Sequence, residues 1–318
     1  MRIGLDIMGG DFAPEEAVKG VAQYFSEHPD NAAHLFLFGD PEKAAAYLPL
    51  IATYTDKYTL VPASQVIGMH EHPTKALKEK PHSSIAIGFG WLQAGKVDAF
   101  LSAGNTGAMM VGAMYSIKAI EGILRPTIAS PMPRTDGTYN LLLDVGANAD
   151  CKPEHLVQFA ELGSLYVQRV WGVSEPRVAL LNLGEEEGKG NLLAQATYPL
   201  LKANQNIRFI GNVEGRDLFS DKAHVVVCEG FVGNVMLKMA ESIHNIFVQR
   251  GVQDEFLTHL NYEIYGGTPI LGVNAPVIIG HGISPALAFK SMIEEAGRII
   301  SADITQAFKE HFSSTQAS

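Results

Sequence analysis

The segment Gly104-Asn105-Thr106-Gly107 has the residue types of an anion-binding turn. The apolar residues 99–101 before it predict a short buried strand, and Thr106 or Gly107 is predicted to begin a helix. A strand that ends in such a turn leaves free backbone N–H groups and the positive end of a helix dipole together, which suits phosphate or another oxyanion. The alternative is an ordinary connection in which glycine supplies a positive φ angle.

The same order of residues recurs along the chain: a short apolar run, a glycine beside an amide or carboxylate, and then a helical segment. Core packing does not explain so many polar groups at strand ends, so we interpret these loops as an active site. The further candidate ligands in them are Asp11, Asp144, Asn148, Asn212, Glu214, Gly233, Asn234 and His281. Any single asparagine could instead cap a helix or adopt a left-handed conformation.

Lys189 is the one lysine inside these loop motifs, and it is flanked by Gly188 and Gly190. It precedes a predicted helix, and a cation at a helix N-terminus does not favour helix stability. Its charge is therefore a candidate for binding an anionic substrate, with an exposed solubilising lysine as the alternative. Carboxylates such as Asp6 and Glu214 could orient the lysine or bind a cation, and the sequence does not choose between these roles.

Alternating strands and helices must position these loops. Apolar strands are predicted at residues 2–6, 34–38, 58–61, 99–101, 127–130, 139–143, 178–181, 207–210, 225–227 and 277–279. Helices are predicted between them, with a polar connection at residues 69–80 and the last helix starting at Pro285. This pattern predicts an α/β fold with a mostly parallel sheet, whose carboxyl edge binds ligands. We expect residues 1–318 to form one domain, with two lobes around one cleft as an alternative arrangement of that domain.

Several classes of protein are disfavoured. A net charge of −10 argues against nucleic acid as a partner. The first strand is not followed by G-x-G-x-x-G, Gly188-Lys189-Gly190 lacks the spacing of a phosphate-binding P-loop, and Ser102 is not in a G-x-S-x-G elbow. His70 and His72 have no evident third ligand, so we expect neither a metal nor a cofactor.

The remaining possibility is an enzyme in which the substrate itself, such as phosphate, is the nucleophile. The two cysteines are interpreted as reduced, buried or half-buried thiols. The chain starts directly in a predicted strand and contains no run of eighteen apolar residues, so we expect a cytoplasmic protein.

Seven motifs occur together in a fixed order: Met8-Gly-Gly-Asp11, Ser102-Ala-Gly-Asn-Thr-Gly-Ala108, Leu143-Asp-Val-Gly-Ala-Asn148, Lys152-Pro-Glu-His-Leu156, Gly211-Asn-Val-Glu214, Gly230-Phe231 with Gly233-Asn234, and His281-Gly282. In this order the chain resembles the bacterial PlsX family, the acyl-[acyl-carrier-protein]:phosphate acyltransferases of phospholipid synthesis. The resemblance covers essentially the whole chain.

The resemblance implies a homodimeric α/β/α sandwich, similar to phosphotransacetylase and to the isocitrate and isopropylmalate dehydrogenases. It also implies a reaction in which inorganic phosphate attacks the thioester of a long-chain acyl carrier protein, giving acyl phosphate. Lys189 and Asn234 match the catalytic lysine and asparagine proposed for the family.

Two regions depart from the family pattern. Lys75, Lys78 and Lys80 stand where members often carry arginines, and we expect them to face the carrier protein or simply the solvent. Residues 248–265 are shorter than the helical hairpin that often presents an apolar tip to the membrane, so peripheral membrane contact is in doubt. The preceding apolar stripe (Val235, Met236, Met239, Ile243, Ile246 and Phe247) is interpreted as core or dimer interface rather than membrane contact.

Three other functions are kept as alternatives. An acyl-CoA phosphotransacetylase-like enzyme would use a related reaction with another donor. An NAD-linked dehydrogenase on a related fold is disfavoured by the missing nucleotide motif. A non-catalytic module that binds carrier protein or acyl chains would not need so many polar loops.

Overall fold

The computed structural model describes residues 1–30 and 33–315, in which strands alternate with helices as predicted. The strands within these residues are β1 Arg2–Asp6, β2 His34–Gly39, β3 Tyr58–Pro62, β4 Ala99–Ser102, β5 Thr127–Pro133, β6 Tyr139–Leu143, β7 Arg177–Leu181, β8 Arg208–Val213, β9 Val225–Val227, β10 Gly267–Leu271 and β11 Val277–Gly280.

The helices are α1 Glu15–Glu27, α2 Pro41–Ala44, α3 Pro73–Glu79, α4 Ser84–Gln93, α5 Thr106–Gly112, α6 Pro153–Val170, α7 Leu192–Ala203, α8 Gly230–Gln249, α9 Glu255–His259, α10 Tyr262–Tyr265, α11 Ala286–Ser301 and α12 Ile304–Thr315. Among the described residues, no helix is long and apolar enough to cross a membrane.

The chain divides into two compact units. The first unit consists of Met1–Ala119 and Tyr262–Thr305, and the second of Ile120–Asn261 and the described residues from Gln306 onward. The prediction of one domain with two lobes around a cleft stays a prediction.

The first unit is built on strands in the order β3-β2-β1-β4-β11-β10. All neighbouring pairs are parallel except β10 and β11. Its core is closely packed: the Phe100 ring lies edge-on to Phe38 and Phe89, with centroids 5.8 and 5.1 Å away. A Cβ at Gly88 would come within 2.1 Å of the Phe100 ring, so α4 approaches the sheet at a glycine.

The second unit has strands in the order β5-β6-β9-β7-β8. Here β5 and β6 are antiparallel, as the two adjacent apolar runs suggested, and the other pairs are parallel. The carboxyl ends of the parallel strands β6, β7, β8 and β9 therefore lie at one edge of this sheet, and four of the predicted loops start there.

Several boundaries differ from the sequence prediction. The supposed polar connection at 69–80 contains α3, because Pro73 suits the first turn of a helix and good helix formers follow it. β10 was missed because Pro269 argues against a strand, and α12 extends beyond the predicted last helix. β8 continues to Val213, so Asn212 lies in a strand and not in a loop.

The apolar stripe on α8 is not core in this chain. Val235, Met239 and Ile246 are 52%, 59% and 53% exposed, whereas Met236, Ile243 and Phe247 are half-buried. The core interpretation is therefore wrong for the three exposed side chains, and the dimer-interface interpretation stays a prediction. Beyond α8, the described part of residues 248–265 forms the short helices α9 and α10.

Candidate active site

In the first unit, a buried carboxylate organises the loops after β1 and β4. Asp6 is 1% exposed, and it accepts hydrogen bonds from Met8 N at 2.8 Å and from Ser102 Oγ at 2.7 Å. Ser102 Oγ in turn accepts one from Gly104 N at 2.9 Å. Burial raises the pKa of Asp6, and the hydrogen bond from Ser102 opposes this. The Asp6 carboxylate therefore stabilises the conformation of the loops after β1 and β4.

The side chain of Asn105 is also engaged in hydrogen bonds within the protein. Its Oδ1 accepts a hydrogen bond from Ala108 N at 2.9 Å, which caps α5, and its Nδ2 donates to the carbonyls of Gly68, Met69 and Glu71 at 3.0–3.1 Å. These bonds hold the segment before α3 against the turn and use both ends of the amide. The side-chain amide is thus engaged within the protein, and phosphate binding by Asn105 stays a prediction.

The rest of this turn keeps the predicted geometry. Within the described residues, the N–H groups of Thr106 and Gly107 have no hydrogen-bond partner, as expected at a helix start. Gly107 is also required for packing, since a Cβ there would lie 2.4 Å from Pro73 Cγ. The Gly104 N–H already donates to Ser102 Oγ, and anion binding by the turn, with the N–H groups of Thr106 and Gly107, stays a prediction.

Two further candidates belong to the first unit. The N–H of Asp11 donates to the Gly282 carbonyl at 2.7 Å, which joins the loop after β1 to the loop after β11. The Asp11 side chain is exposed, while His281, in that second loop, is half-buried. The structure thus brings Asp11, the 104–107 turn and the His281 loop to one edge of the first unit's sheet.

In the second unit, Asp144 organises the loop after β6 as Asp6 does in the first unit. The buried carboxylate accepts hydrogen bonds from the backbone N–H groups of Ile128, Gly146, Ala147 and Asn148, and from Asn148 Nδ2 at 2.9 Å. Asn148 Nδ2 also donates to the Pro126 carbonyl. Burial raises the pKa of Asp144, and these hydrogen bonds act against the rise. Asp144 and Asn148 are therefore engaged with the protein itself.

The first turn of α8 lies directly on this loop. A Cβ at Gly233 would come within 1.8 Å of the Asp144 carbonyl oxygen, and one at Gly230 within 2.7 Å of the Asn148 carbonyl oxygen. The predicted site residue Gly233 is thus needed for close packing. The contact also presents Asn234, whose amide lies beside the Cα of Gly146.

The half-buried Asn234 differs from the other asparagines. Its side chain has no hydrogen-bond partner among the described residues. Its backbone is fixed by the helix and by the close approach of Gly233 to the Asp144 loop. This amide is held in place and available to a ligand.

Lys189 lies on a loop that two asparagines hold from adjacent strand ends. Asn182, after β7, donates to the Lys189 carbonyl at 3.1 Å, and Asn212, near the end of β8, donates to the Glu186 carbonyl at 2.9 Å. The Lys189 ammonium is half-exposed, and its one ion pair among the described residues is with Glu186 at 3.8 Å. Gly190 has φ +98°, and a Cβ there would meet Asn182 Oδ1 at 2.4 Å. The loop is anchored while the charge remains accessible.

Asn212 and Glu214 have structural partners. Asn212 positions the Lys189 loop, although its buried Oδ1 has no hydrogen-bond partner within the described chain. Glu214 forms an ion pair with Arg216 at 2.9 Å. Neither the Asn212 amide nor the Glu214 carboxylate contacts the Lys189 ammonium in the described structure. The hypothesis that Glu214 orients the lysine is therefore not supported by its contacts.

The two cysteines are free thiols, as interpreted from the sequence. Burial raises the pKa of Cys151 to about 12 and raises that of Cys228 well above its ordinary value. Both thiols are protonated at neutral pH, and a thiol attacks a carbonyl as its thiolate. Neither is suited to be a nucleophile.

The structure separates the predicted residues into two sets. Asp11, the 104–107 turn and His281 belong to the first unit, and Asp144, Asn148, Lys189, Asn212, Glu214, Gly233 and Asn234 belong to the second. Sequence reasoning missed Asn182 as an anchor, although its position directly after an apolar strand was a signal. It also missed a cavity beside the Lys189 loop, for which the apolar Leu183 and Leu192 within a polar segment were the signal.

The sequence comparisons are consistent over nearly the whole chain. Residues 1–307 match the family model described as "Fatty acid synthesis protein". The chain is 42% identical over 329 residues to a phosphate acyltransferase of Dictyoglomus turgidum, covering 98% of this chain and 97% of that protein. A phosphate acyltransferase of Syntrophomonas wolfei is 43% identical over 290 residues, covering 89% and 90%.

A solved structure supports the fold. A phosphotransacetylase from Streptococcus pyogenes matches with a TM-score of 0.66 at 17% identity, covering 95% of this chain and 94% of that one. The predicted α/β/α class with a mostly parallel sheet, similar to phosphotransacetylases, is confirmed. At this identity the likeness concerns the fold alone.

Proposed function

Because the chain belongs to the phosphate acyltransferase (PlsX) family, we propose that it transfers a long-chain fatty acyl group from acyl carrier protein to inorganic phosphate, with Lys189 and Asn234 as the catalytic residues. That the chain is a phosphate acyltransferase follows from the family. The acyl donor and the roles of the two residues are the parts proposed here.

The reaction needs no nucleophile from the protein. An oxygen of hydrogen phosphate attacks the thioester carbonyl and forms a tetrahedral oxyanion. When that intermediate collapses, the C–S bond breaks, and the proton of the phosphate passes to the leaving sulfur. The products are acyl phosphate and the free carrier thiol. The protein must desolvate and aim the phosphate, and it must stabilise the oxyanion.

The observation that carries the assignment is the contrast in hydrogen bonding. Lys189 and Asn234 have anchored backbones and head groups without a hydrogen-bond partner in the described chain, whereas the amides of Asn105 and Asn148 are engaged. The Lys189 ammonium can neutralise charge on the phosphate. The Asn234 Nδ2 can donate to the oxyanion, where its position is fixed before the reaction begins.

The proposed donor is the carrier protein, and α3 offers a cationic surface for it. Lys75 pairs with Glu79 at 3.9 Å, and Lys80 pairs with Glu71, which leaves the exposed Lys78 without an ion pair among the described residues. Such a surface would affect the association rate more than the chemistry. Replacing Lys78 should therefore raise KM for the carrier protein without changing kcat.

We propose a homodimer, in which the exposed apolar stripe of α8 contacts a second copy of the chain. Val235, Met239 and Ile246 lie within one face of the helix, and large exposed apolar patches mark interaction surfaces. Sedimentation equilibrium of wild type and Met239→Lys tests this, because a charge in the interface should shift the mass toward the monomer. Co-sedimentation with anionic vesicles tests whether the chain contacts a membrane despite its short segment at residues 248–265.

The donor is tested by comparing substrates. Wild-type protein is incubated with phosphate and either palmitoyl-carrier protein or palmitoyl-CoA, and acyl phosphate is measured. We expect product from the carrier protein at a kcat/KM well above that for CoA. Higher efficiency with CoA would favour the phosphotransacetylase-like alternative, and binding of the carrier protein without product would contradict catalysis.

A further inference from the structure

A cavity in the second unit is not used by the chemistry described above. Its volume of about 310 Å³ lies at the lower end of the range for small-molecule pockets. Residues of β7, α6, α7 and α8 line it, and its apolar lining includes Leu156, Leu180, Leu193, Ala194, Val232 and Met236.

The leucines that line the cavity range from buried to exposed. Leu156 and Leu180 are buried, at 2% and 1% exposure, whereas Leu183, which also lines the cavity, is 72% exposed. Leu192 lies between two lining residues in sequence and is 86% exposed. Leucines left in solvent beside an apolar cavity indicate a surface that another apolar group covers.

Three polar side chains of the lining each use one oxygen to accept a hydrogen bond from the protein itself. Asn182 Oδ1 accepts from Leu183 N at 2.8 Å, Asn191 Oδ1 from Ala194 N at 2.9 Å, and Glu229 Oε1 from Val232 N at 3.2 Å. These bonds make the polar atoms part of helix caps and of the loop. The interior therefore suits a hydrocarbon better than an anion or a polar headgroup.

We propose that this cavity binds the fatty acyl chain of the substrate. Gly190 lines it, and Asn182, another lining residue, donates to the carbonyl of Lys189. A hydrocarbon chain that fills the cavity from Leu180 outward thus emerges beside the Lys189 loop, where its thioester is required. Each buried CH₂ adds to binding, so the cavity selects long chains over short ones. This inference rests on the proposed function, because it assigns that function's substrate.

The test fills the cavity and leaves the chemistry intact. Leu193→Trp adds bulk to the lining, and Leu200→Trp is the matched control, because it lies two turns later on α7 and faces a different cavity. Acyl phosphate formation is measured with palmitoyl- and butyryl-carrier protein. We expect Leu193→Trp to lower kcat/KM for palmitoyl-carrier protein about tenfold or more, which corresponds to the lost burial of a few CH₂ groups. The kcat/KM for butyryl-carrier protein should change less than about twofold. Leu200→Trp should change neither.

Two results would overturn the inference. An unchanged palmitoyl reaction in folded Leu193→Trp would show that the chain lies elsewhere, and an equal loss for both donors would assign the cavity to the carrier's arm. If Leu193→Trp does not fold, Val232→Phe fills the same space from α8. Calorimetric titration with palmitate measures binding without turnover. Weaker palmitate binding by Leu193→Trp, but not by Leu200→Trp, supports the site even if the wild-type protein forms no acyl phosphate. Equal palmitate binding by Leu193→Trp and wild type contradicts it.

Discussion

The loop after β4 in the first unit and the Lys189 loop with the first turn of α8 in the second unit both carry glycine and asparagine after a strand, but they use their polar groups differently. In the first, Asp6, Ser102 and Asn105 are engaged in hydrogen bonds between the loops or in a helix cap, and within the described residues the backbone N–H groups of Thr106 and Gly107 and the exposed Thr106 hydroxyl remain for a ligand. In the second, the neighbours are bonded and Lys189 and Asn234 remain available.

This difference shows what an anchored site requires. A side chain that binds substrate must be positioned by something other than its own head group. Here the backbone of Lys189 is held by Asn182, and the backbone of Asn234 is held by the packing of Gly233 on Asp144. In the proposed function, the engaged asparagines support the site, and Lys189 and Asn234 act on the substrate.

The largest effect is expected at the lysine. Lys189→Ala removes the only cation of this loop and leaves its backbone anchors in place, so kcat should fall by roughly 10²–10³-fold with Tm unchanged. Steady-state assays beside Lys309→Ala, an exposed control on α12, check this. Near-normal turnover would remove Lys189 from the mechanism.

A large loss of stability is expected where α8 meets the Asp144 loop. Gly233→Ala places a methyl group 1.8 Å from the Asp144 carbonyl oxygen, so the backbone must shift. We expect about 3 kcal/mol of destabilisation in denaturant unfolding, together with lost turnover. Gly297→Ala in α11, where a Cβ meets nothing within 4 Å, should instead stabilise by about 0.5–1 kcal/mol. Equal effects would contradict the packing.

A smaller, purely structural effect is expected at Asn105. Asn105→Ala removes the cap of α5 and the donor to three carbonyls, which should cost about 2 kcal/mol. Thermal unfolding should show this as a Tm lower by several degrees, while kcat of the folded enzyme stays within about threefold. A loss of kcat as large as that of Lys189→Ala would contradict a purely structural role for Asn105.

The smallest effect concerns pH and lies away from the site. Burial and the charges of Arg177 and Arg134 lower the pKa of His224 to about 4, and its Nδ1 accepts from Arg177 N. The unfolded chain takes up a proton near pH 6.5, which the folded chain resists until about pH 4, so this contribution to stability is lost as pH falls through that window.

His224→Asn should therefore flatten the fall in Tm between pH 7.5 and pH 5, with turnover at pH 7.5 unchanged. His311→Asn, on α12, serves as a second histidine variant for comparison. An unaltered pH slope in His224→Asn would show that other groups control acid stability.

The sequence predicted most of the frame. Apolar runs located ten of the strands, and helices lie between them as predicted. Local signals failed where tertiary context dominates. Pro269 is accepted in β10 because its antiparallel pairing with β11 continues around it, and the helix α3 follows polar residues that resemble a loop.

The site was predicted only in outline. Glycine and asparagine at strand ends located the loops, but residue type does not reveal whether an amide is already bonded. Asn105 and Asn234 look alike in sequence, and only the contacts separate them. Leu183 and Leu192 were a local signal for the cavity beside the Lys189 loop, but its shape was not predictable, since Leu156, Leu180 and Met236 come from elements far apart in the chain.

The most direct test of this account measures kcat and Tm for Asn234→Ala and Asn105→Ala side by side. We predict that Asn234→Ala loses roughly 10²-fold or more in kcat with an unchanged Tm, while Asn105→Ala loses several degrees of Tm with little change in kcat. Near-wild-type turnover in Asn234→Ala, or the same pattern in both variants, would contradict the division between groups that support the site and groups that act on substrate.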